Sequence, residues 1–375
     1  TNSIGFILGN DGDGKSLHLS ALTEPYPGYA KAMFHDTYEE ARASFRKMAT
    51  DVGGELSALT VMHDEKGNPL TIDAAIFGTG NKVLVLSSGL HGVEGFAGSA
   101  IQLQMLQQGL PDDIRVVMLH ALNPYGMANI RRVNENNVDL NRNFLAEGEE
   151  YTGSSDGYQR LNALLNPEKP TGGLEFMLAR TVVQILIHGY NTLKTAVVGG
   201  QYDFPKGLFF GGQRLEDGPA LLMKHLPSLV EGAEKIVHID FHTGLGKSGT
   251  YALLVDTEAG SKAHLDFRDT YGDRIQPWDA DHGVAYKIRG GLPDAMTRLF
   301  GEKVDVLTCE FGTIPALQVL QALRTENQAH HWGGNQNKAK TILKRAFCPS
   351  EKQWERAIIQ GGLTVINQAI EQLRT

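Results

Sequence analysis

The sequence predicts an α/β fold on three observations. Short apolar, β-branched runs recur along the chain, helix-forming segments lie between them, and one strand–helix–strand order calls for parallel pairing. A helix opens after the cap candidate Thr37, at Tyr38-Glu39-Glu40-Ala41-Arg42-Ala43-Ser44-Phe45. Strands follow over Glu55–Met62, Leu70–Phe77, Val83–Ser87 and Ile114–His120, with a helix over Ala97–Gln108 between the last two. That order is a crossover unit of a sheet with parallel pairs. Further on, Leu174–Thr195 reads as a helix, and Lys235–Phe241, Tyr251–Val255 and Val304–Cys309 read as strands. Helices close the chain over Pro315–Glu326, Asn337–Arg345 and Glu351–Leu373. Residues 1–36 form an irregular segment, and 37–375 read as a single domain with Glu147–Gly173 as an elaboration of it.

Composition narrows the function. Of 375 residues, 41% are hydrophobic and 21% charged, which allows a sizeable core and excludes a disordered chain. A net charge of −8 provides no electrostatic footprint for nucleic acid or an anionic membrane. Cys309 and Cys348 are far apart and outside any C-x-x-C pair, so a reducing, cytoplasmic setting is the default. A secreted form already trimmed of its leader would read the same. The most apolar long stretch, Phe176–Val198, carries Arg180, His188 and Lys194, which makes it a buried helix rather than a membrane span.

Four segments carry chemistry. After the strand Val83–Ser87 comes Ser88-Gly89-Leu90-His91-Gly92-Val93-Glu94-Gly95. His91 and Glu94 are three apart, so a tight turn can aim both at one ion, and imidazole with carboxylate suits zinc. A capped helix start with an incidental histidine is the plainer alternative. In Lys235–Gly246, the residues His238, Asp240 and His242 share one face of a strand. His238 lies deeper and reads as a core histidine, His242 at the strand end as a ligand, and Asp240 as a group orienting a ligand from behind. Glu310 closes the apolar strand Val306–Cys309 just before Gly312, where a carboxylate in a partly dry site can act as general base and then acid. Cys309 alternates to the opposite face, into packing. The fourth segment runs from Asn123-Pro124-Tyr125-Gly126 through Arg131-Arg132-Val133-Asn134 to Asp139-Leu140-Asn141-Arg142-Asn143. Its guanidinium groups suit a substrate carboxylate or a developing oxyanion.

In their order, these segments resemble the zinc carboxypeptidase superfamily, with its aspartoacylase-like and succinylglutamate desuccinylase-like branches. The matching motifs are H-x-x-E at His91/Glu94, N-P-x-G at Asn123–Gly126, D-L-N-R-N at Asp139–Asn143, the strand-end His242, and E-F-G at Glu310. The run Asp240–Thr243 is similar to the acylase branch, and Asn141-Arg142 with Arg132 to the peptidase branch. His91–Phe96, Gly200-Gln201-Tyr202 and Gly211-Gly212 resemble a bacterial subgroup of this superfamily. The resemblance implies a three-layer α/β/α sandwich around a mixed, largely parallel sheet. It implies one Zn2+ per chain on His91, Glu94 and His242, with Glu310 as general base and Arg132 on the oxyanion. Arg131 is the alternative to Arg132 if the loop slips by one. Asn141 and Arg142 would grip the carboxylate of a peptide or N-acyl amino acid. Tyr286 and Tyr251 are candidates for a substrate-capping tyrosine, and Tyr202 for lining the pocket.

A competing motif lies at Gly9–Ser16, which satisfies the G-x-x-x-x-G-K-S phosphate-loop pattern, with Ile236–Asp240 as a candidate magnesium-binding strand. Asp11 and Asp13 would place negative charge where amides should cradle phosphate, and Pro25 cuts short the helix that should follow. A solvent-exposed turn is the better reading of that motif. A catalytically silent homologue that keeps the metal is the other alternative. His330-His331-Trp332 reads as a helix-end group, and Trp278 and Trp354 as packing residues.

Overall fold

A computed structural model describes residues 33–169, 199–277 and 288–375. The motif Gly9–Ser16, the helix expected over 174–195, Trp278 and Tyr286 lie outside them. The centre is an eight-stranded sheet: β1 Glu55–His63, β2 Pro69–Phe77, β3 Lys82–Ser88, β4 Arg115–His120, β5 Lys235–Thr243, β6 Tyr251–Val255, β7 Ile275–Pro277 and β8 Val304–Phe311. Its order is β1-β2-β4-β3-β5-β8-β6-β7. The central pairs β4/β3, β3/β5 and β5/β8 are parallel, while β1/β2, β2/β4 and β6/β8 are antiparallel. The sheet is therefore mixed, as expected. The central strands are buried on both faces, which is why β3 reads as the unbroken run Lys-Val-Leu-Val-Leu-Ser-Ser.

Helices cover both faces. The described ones are α1 Tyr38–Asp51, α2 Gly95–Gln108, α3 Pro124–Ala128, α4 Asp156–Leu165, α5 Asp217–Leu229, α6 Lys262–Tyr271, α7 Leu292–Phe300, α8 Ala316–Trp332, α9 Gln336–Phe347 and α10 Lys352–Arg374. The Thr37 cap holds: its hydroxyl accepts from the Glu40 N–H while the Glu40 carboxylate receives the Thr37 N–H, a capping box. α2 packs so closely on β3 and β5 that a Cβ at Gly98 would lie 2.6 Å from Ser88 Cβ. On the other face Val83, Val85, Val117 and Ile236 meet Leu222 and Leu226 of α5 and Leu292 and Met296 of α7. No helix among the described residues is long and apolar enough to cross a membrane.

Sequence periodicity does not assign α4 to α7 or β7. α4 and α6 begin with Ser155 and Ser261, each a side-chain cap, and α5 carries Pro227 near its end. β7 is only three residues long and pairs with β6 alone. α8 runs six residues beyond its expected end at Glu326, to Trp332.

Candidate metal centre

The carboxyl ends of β3, β5 and β8 form one edge of the site. His91 follows β3, and Glu94 ends the 3-10 turn Gly92–Glu94 that leads into α2. The turn is docked on the neighbouring loop: the Gly92 N–H donates to the Arg132 carbonyl at 3.1 Å and the Val93 N–H to that of Arg131 at 2.9 Å. Gly92 is required there, because a Cβ would lie 2.1 Å from the Gly126 carbonyl carbon. Thus the H-x-x-E and N-P-x-G segments, distant in sequence, fit as one unit.

Ligand-type atoms of three residues meet. His91 Nδ1 lies 3.0 Å from Glu94 Oε1 and 3.1 Å from His242 Nδ1, and His242 Nδ1 lies 3.2 Å from Glu94 Oε2. All three residues are buried, and they form a group able to hold a metal ion. The 3.1 Å between the two histidine nitrogens is close to the roughly 3.4 Å expected between ligands of a tetrahedral ion with bonds of about 2.0–2.1 Å. Each imidazole is backed by a carboxylate on its other nitrogen: His91 Nε2 by Asp139 Oδ1 at 2.9 Å, and His242 Nε2 by Asp240 Oδ2 at 2.6 Å. That pattern fixes ring orientation at metal sites. Burial alone would raise the Glu94 carboxyl, but the charges of His91 and Arg132 hold it well below the usual carboxylate range. Asp139 is likewise held low against its burial, by Arg132, His91 and Arg142.

Glu310 enters from β8. Its register partner across β5 is His242, so both side chains leave the same face of the sheet. One carboxylate oxygen accepts the Leu245 N–H at 2.9 Å. Burial, reinforced by the charge of Glu94, pushes its pKa up to about 7. Cys309 points into the core, as expected, and burial with the nearby Glu310 pushes its thiol up.

The two arginines separate. Arg132 donates from Nη1 to Glu94 Oε1 at 2.7 Å, and its Nη2 lies 2.8 Å from His91 Nε2 and 3.3 Å from Asp139 Oδ2. Arg131 is fully buried and bonds Glu326 at 2.8 Å and Asn137 at 3.0 Å. The residue facing the triad is therefore Arg132. Arg131, the alternative in the sequence, is taken up by a buried ion pair. Ile130, just before them, has a left-handed backbone with φ 52°, unusual for a β-branched residue.

Asn141 Oδ1 accepts the Leu292 N–H at 3.0 Å, and Arg142 Nη1 donates to the Asn141 carbonyl at 2.8 Å. Both are buried. Tyr202 is buried, and its hydroxyl donates to the Arg142 carbonyl at 2.7 Å. That bond braces the Asn141–Arg142 loop. Tyr251 begins β6, where Arg274 lies 4.2 Å from its ring centroid. Trp354 packs as expected, with its indole N–H on the Gly312 carbonyl at 2.8 Å. Asp139 is the residue whose contact with His91 the sequence does not reveal. Its visible signal is that of a turn cap, and its side chain does accept from the Asn141 N–H.

Comparison with solved structures gives the same architecture. The chain of bovine thrombin-activatable fibrinolysis inhibitor, from its complex with tick carboxypeptidase inhibitor, aligns with a TM-score of 0.51 at 12% identity, over 92% of this chain and 99% of that one. A second structure of thrombin-activatable fibrinolysis inhibitor aligns at 0.50 and 11%, over 92% and 77%. Carboxypeptidase A from Helicoverpa armigera aligns at 0.46 and 15%, over 84% and 74%. The fold is carboxypeptidase-like, with the mixed sheet and flanking helices that the motif order implied. No curated protein matches the sequence. A family described as "Protein of unknown function (DUF2817)" matches residues 34–361, and this chain belongs to that family.

Proposed function

We propose that this chain is a zinc-dependent amide hydrolase of the carboxypeptidase type. Its substrate would be a peptide or an N-acyl amino acid with a carboxylate near the scissile bond, and residues 37–375 would act as one catalytic domain. The observation that carries the reading is the meeting of His91 Nδ1, His242 Nδ1 and Glu94 at 3.0–3.2 Å, with Asp139 and Asp240 holding the far nitrogens. Two imidazoles and one carboxylate are a catalytic zinc set, the same His2Glu combination that carboxypeptidase A uses. Zinc, when bound, supplies Lewis acidity that makes water nucleophilic near neutral pH and polarises a carbonyl.

The remaining steps belong to the chain. Glu310, raised to about 7, would take the proton of the attacking water and return it to the leaving amine. Arg132, with its side chain 15% exposed beside the triad, would stabilise negative charge growing on the carbonyl oxygen. Asn141 has its carbonyl end committed to Leu292, which leaves the NH2 end to donate to a substrate carboxylate beside Arg142.

The test is a screen of dipeptides and N-acyl amino acids with zinc-loaded protein, with elemental analysis of the same sample. Turnover of one class that is lost on chelation and restored by zinc supports the reading. Hydrolysis that survives chelation, or a fully zinc-loaded protein that cleaves neither class, contradicts it.

A further inference from the structure

The hydrogen bonds behind His242 continue past Asp240. Ser87 Oγ donates to Asp240 Oδ1 at 2.6 Å and lies 2.7 Å from Nε2 of His238. All four side chains are buried. Their meeting follows from register: β3 and β5 are parallel with Ser87 opposite Asp240, and His238, Asp240 and His242 alternate onto that same face.

Counting protons gives the chain a direction. A carboxylate only accepts, so the single hydroxyl proton of Ser87 goes to Asp240. Ser87 Oγ is then an acceptor toward His238, which must donate from Nε2. The lone pair of His238 falls on Nδ1, and Nδ1 is the atom that is buried without a partner. A buried acceptor left bare is tolerated better than a buried N–H left bare. Burial also brings the His238 pKa down to about 4, which keeps the ring neutral near neutral pH.

We propose that Ser87 and His238 are positioning residues for His242. The chain runs one way, from His238 Nε2–H to Ser87 Oγ and from Ser87 O–H to Asp240 Oδ1, and pins that oxygen of the carboxylate. Asp240 Oδ2 is thereby held to receive the proton on His242 Nε2, which leaves the His242 lone pair on Nδ1, the atom facing His91 and Glu94. The inference rests on reading His242 as a metal ligand.

The experiment measures the zinc dissociation constant by chelator competition, with the thermal midpoint of each metal-free variant as a check on folding. Ser87→Ala should weaken zinc roughly 10-fold, at the low end of losses seen when partners behind metal ligands are removed. Ser87→Thr, which keeps the hydroxyl, should restore most of it. Ser88→Ala is the control: it removes a buried hydroxyl bonded to Gln102 at 3.0 Å on the opposite face of the same strand. It should leave the constant within twofold of wild type. A Ser87→Ala protein with wild-type affinity, or one no weaker than Ser88→Ala, overturns the proposal. Nitrogen-15 spectra of wild-type His238 should show the proton on Nε2, and a proton on Nδ1 overturns the proposal with or without metal. Failure of the wild type to take up zinc would instead remove the metal-site reading, while the His238 spectrum still decides the direction of the chain.

Discussion

His242 and Glu310 are register partners on the parallel strands β5 and β8, so the alternation of a pleated sheet puts an imidazole and a carboxylate side by side at the strand ends. Burial, reinforced by the charge of Glu94, pushes the Glu310 carboxyl up to about 7. Replacing it with glutamine keeps the volume and removes the base. The expected result is a loss of kcat/KM on the order of 100- to 10,000-fold with zinc content unchanged. Activity within a few-fold of wild type would remove Glu310 as the base.

The adjacent arginines should fail differently. Arg131→Met strands Glu326 as a buried, unpaired carboxylate, and breaking such a pair typically costs about 3–5 kcal/mol. Its signature is a lowered thermal midpoint. Arg132→Met should instead cut kcat roughly 100- to 1,000-fold in the zinc-loaded protein, with a smaller change in melting. Melting curves and kinetics on the two variants check the assignment, and equal kinetic losses with equal melting would contradict it.

Gly92 is where two chain segments touch backbone to backbone. Gly92→Ala would force its Cβ to within 2.1 Å of the Gly126 carbonyl carbon, so the loop must shift at a cost of about 2 kcal/mol or more. Denaturant unfolding should show that loss, and zinc affinity should fall with it. Gly218→Ala, in α5, meets nothing closer than 3.7 Å and should be neutral or slightly stabilising. Equal behaviour of the two variants would contradict the close-packed loop.

Much of this is legible in the sequence. A strand with an unbroken apolar run, such as β3, is visible because burial on both faces leaves no alternation to misread. His91 and Glu94 are visible because three residues span one turn. The part that stays hidden depends on contacts made across the fold. Asp139 lies 48 positions from His91. The choice between Arg131 and Arg132 turns on partners far along the chain, Glu326 for Arg131 and Glu94 for Arg132. The Tyr202 hydroxyl bond to the Arg142 carbonyl is hidden for the same reason, its partner lying 60 positions away.

Acid should destabilise the fold through His120. The ring is buried, stacks on Phe45 at 4.7 Å and has its Nε2 3.0 Å from Ser99 Oγ. Burial lowers its pKa to about 4. Between that value and the unfolded value near 6.5, only the unfolded chain takes up the proton. The stabilisation is complete above about pH 6.5 and is lost as pH falls toward about 4, an effect of roughly 3 kcal/mol. Histidine NMR should show His120 neutral down to about pH 5, and a midpoint near 6.5 would contradict this.

The most direct measurement is anomalous X-ray scattering on either side of the zinc absorption edge, from crystals of zinc-loaded protein. The account predicts one strong peak bonded to Nδ1 of His91, Nδ1 of His242 and the carboxylate of Glu94, with Glu310 beside it. A zinc-loaded crystal with no peak among those residues, or with a peak that excludes His242, would contradict it.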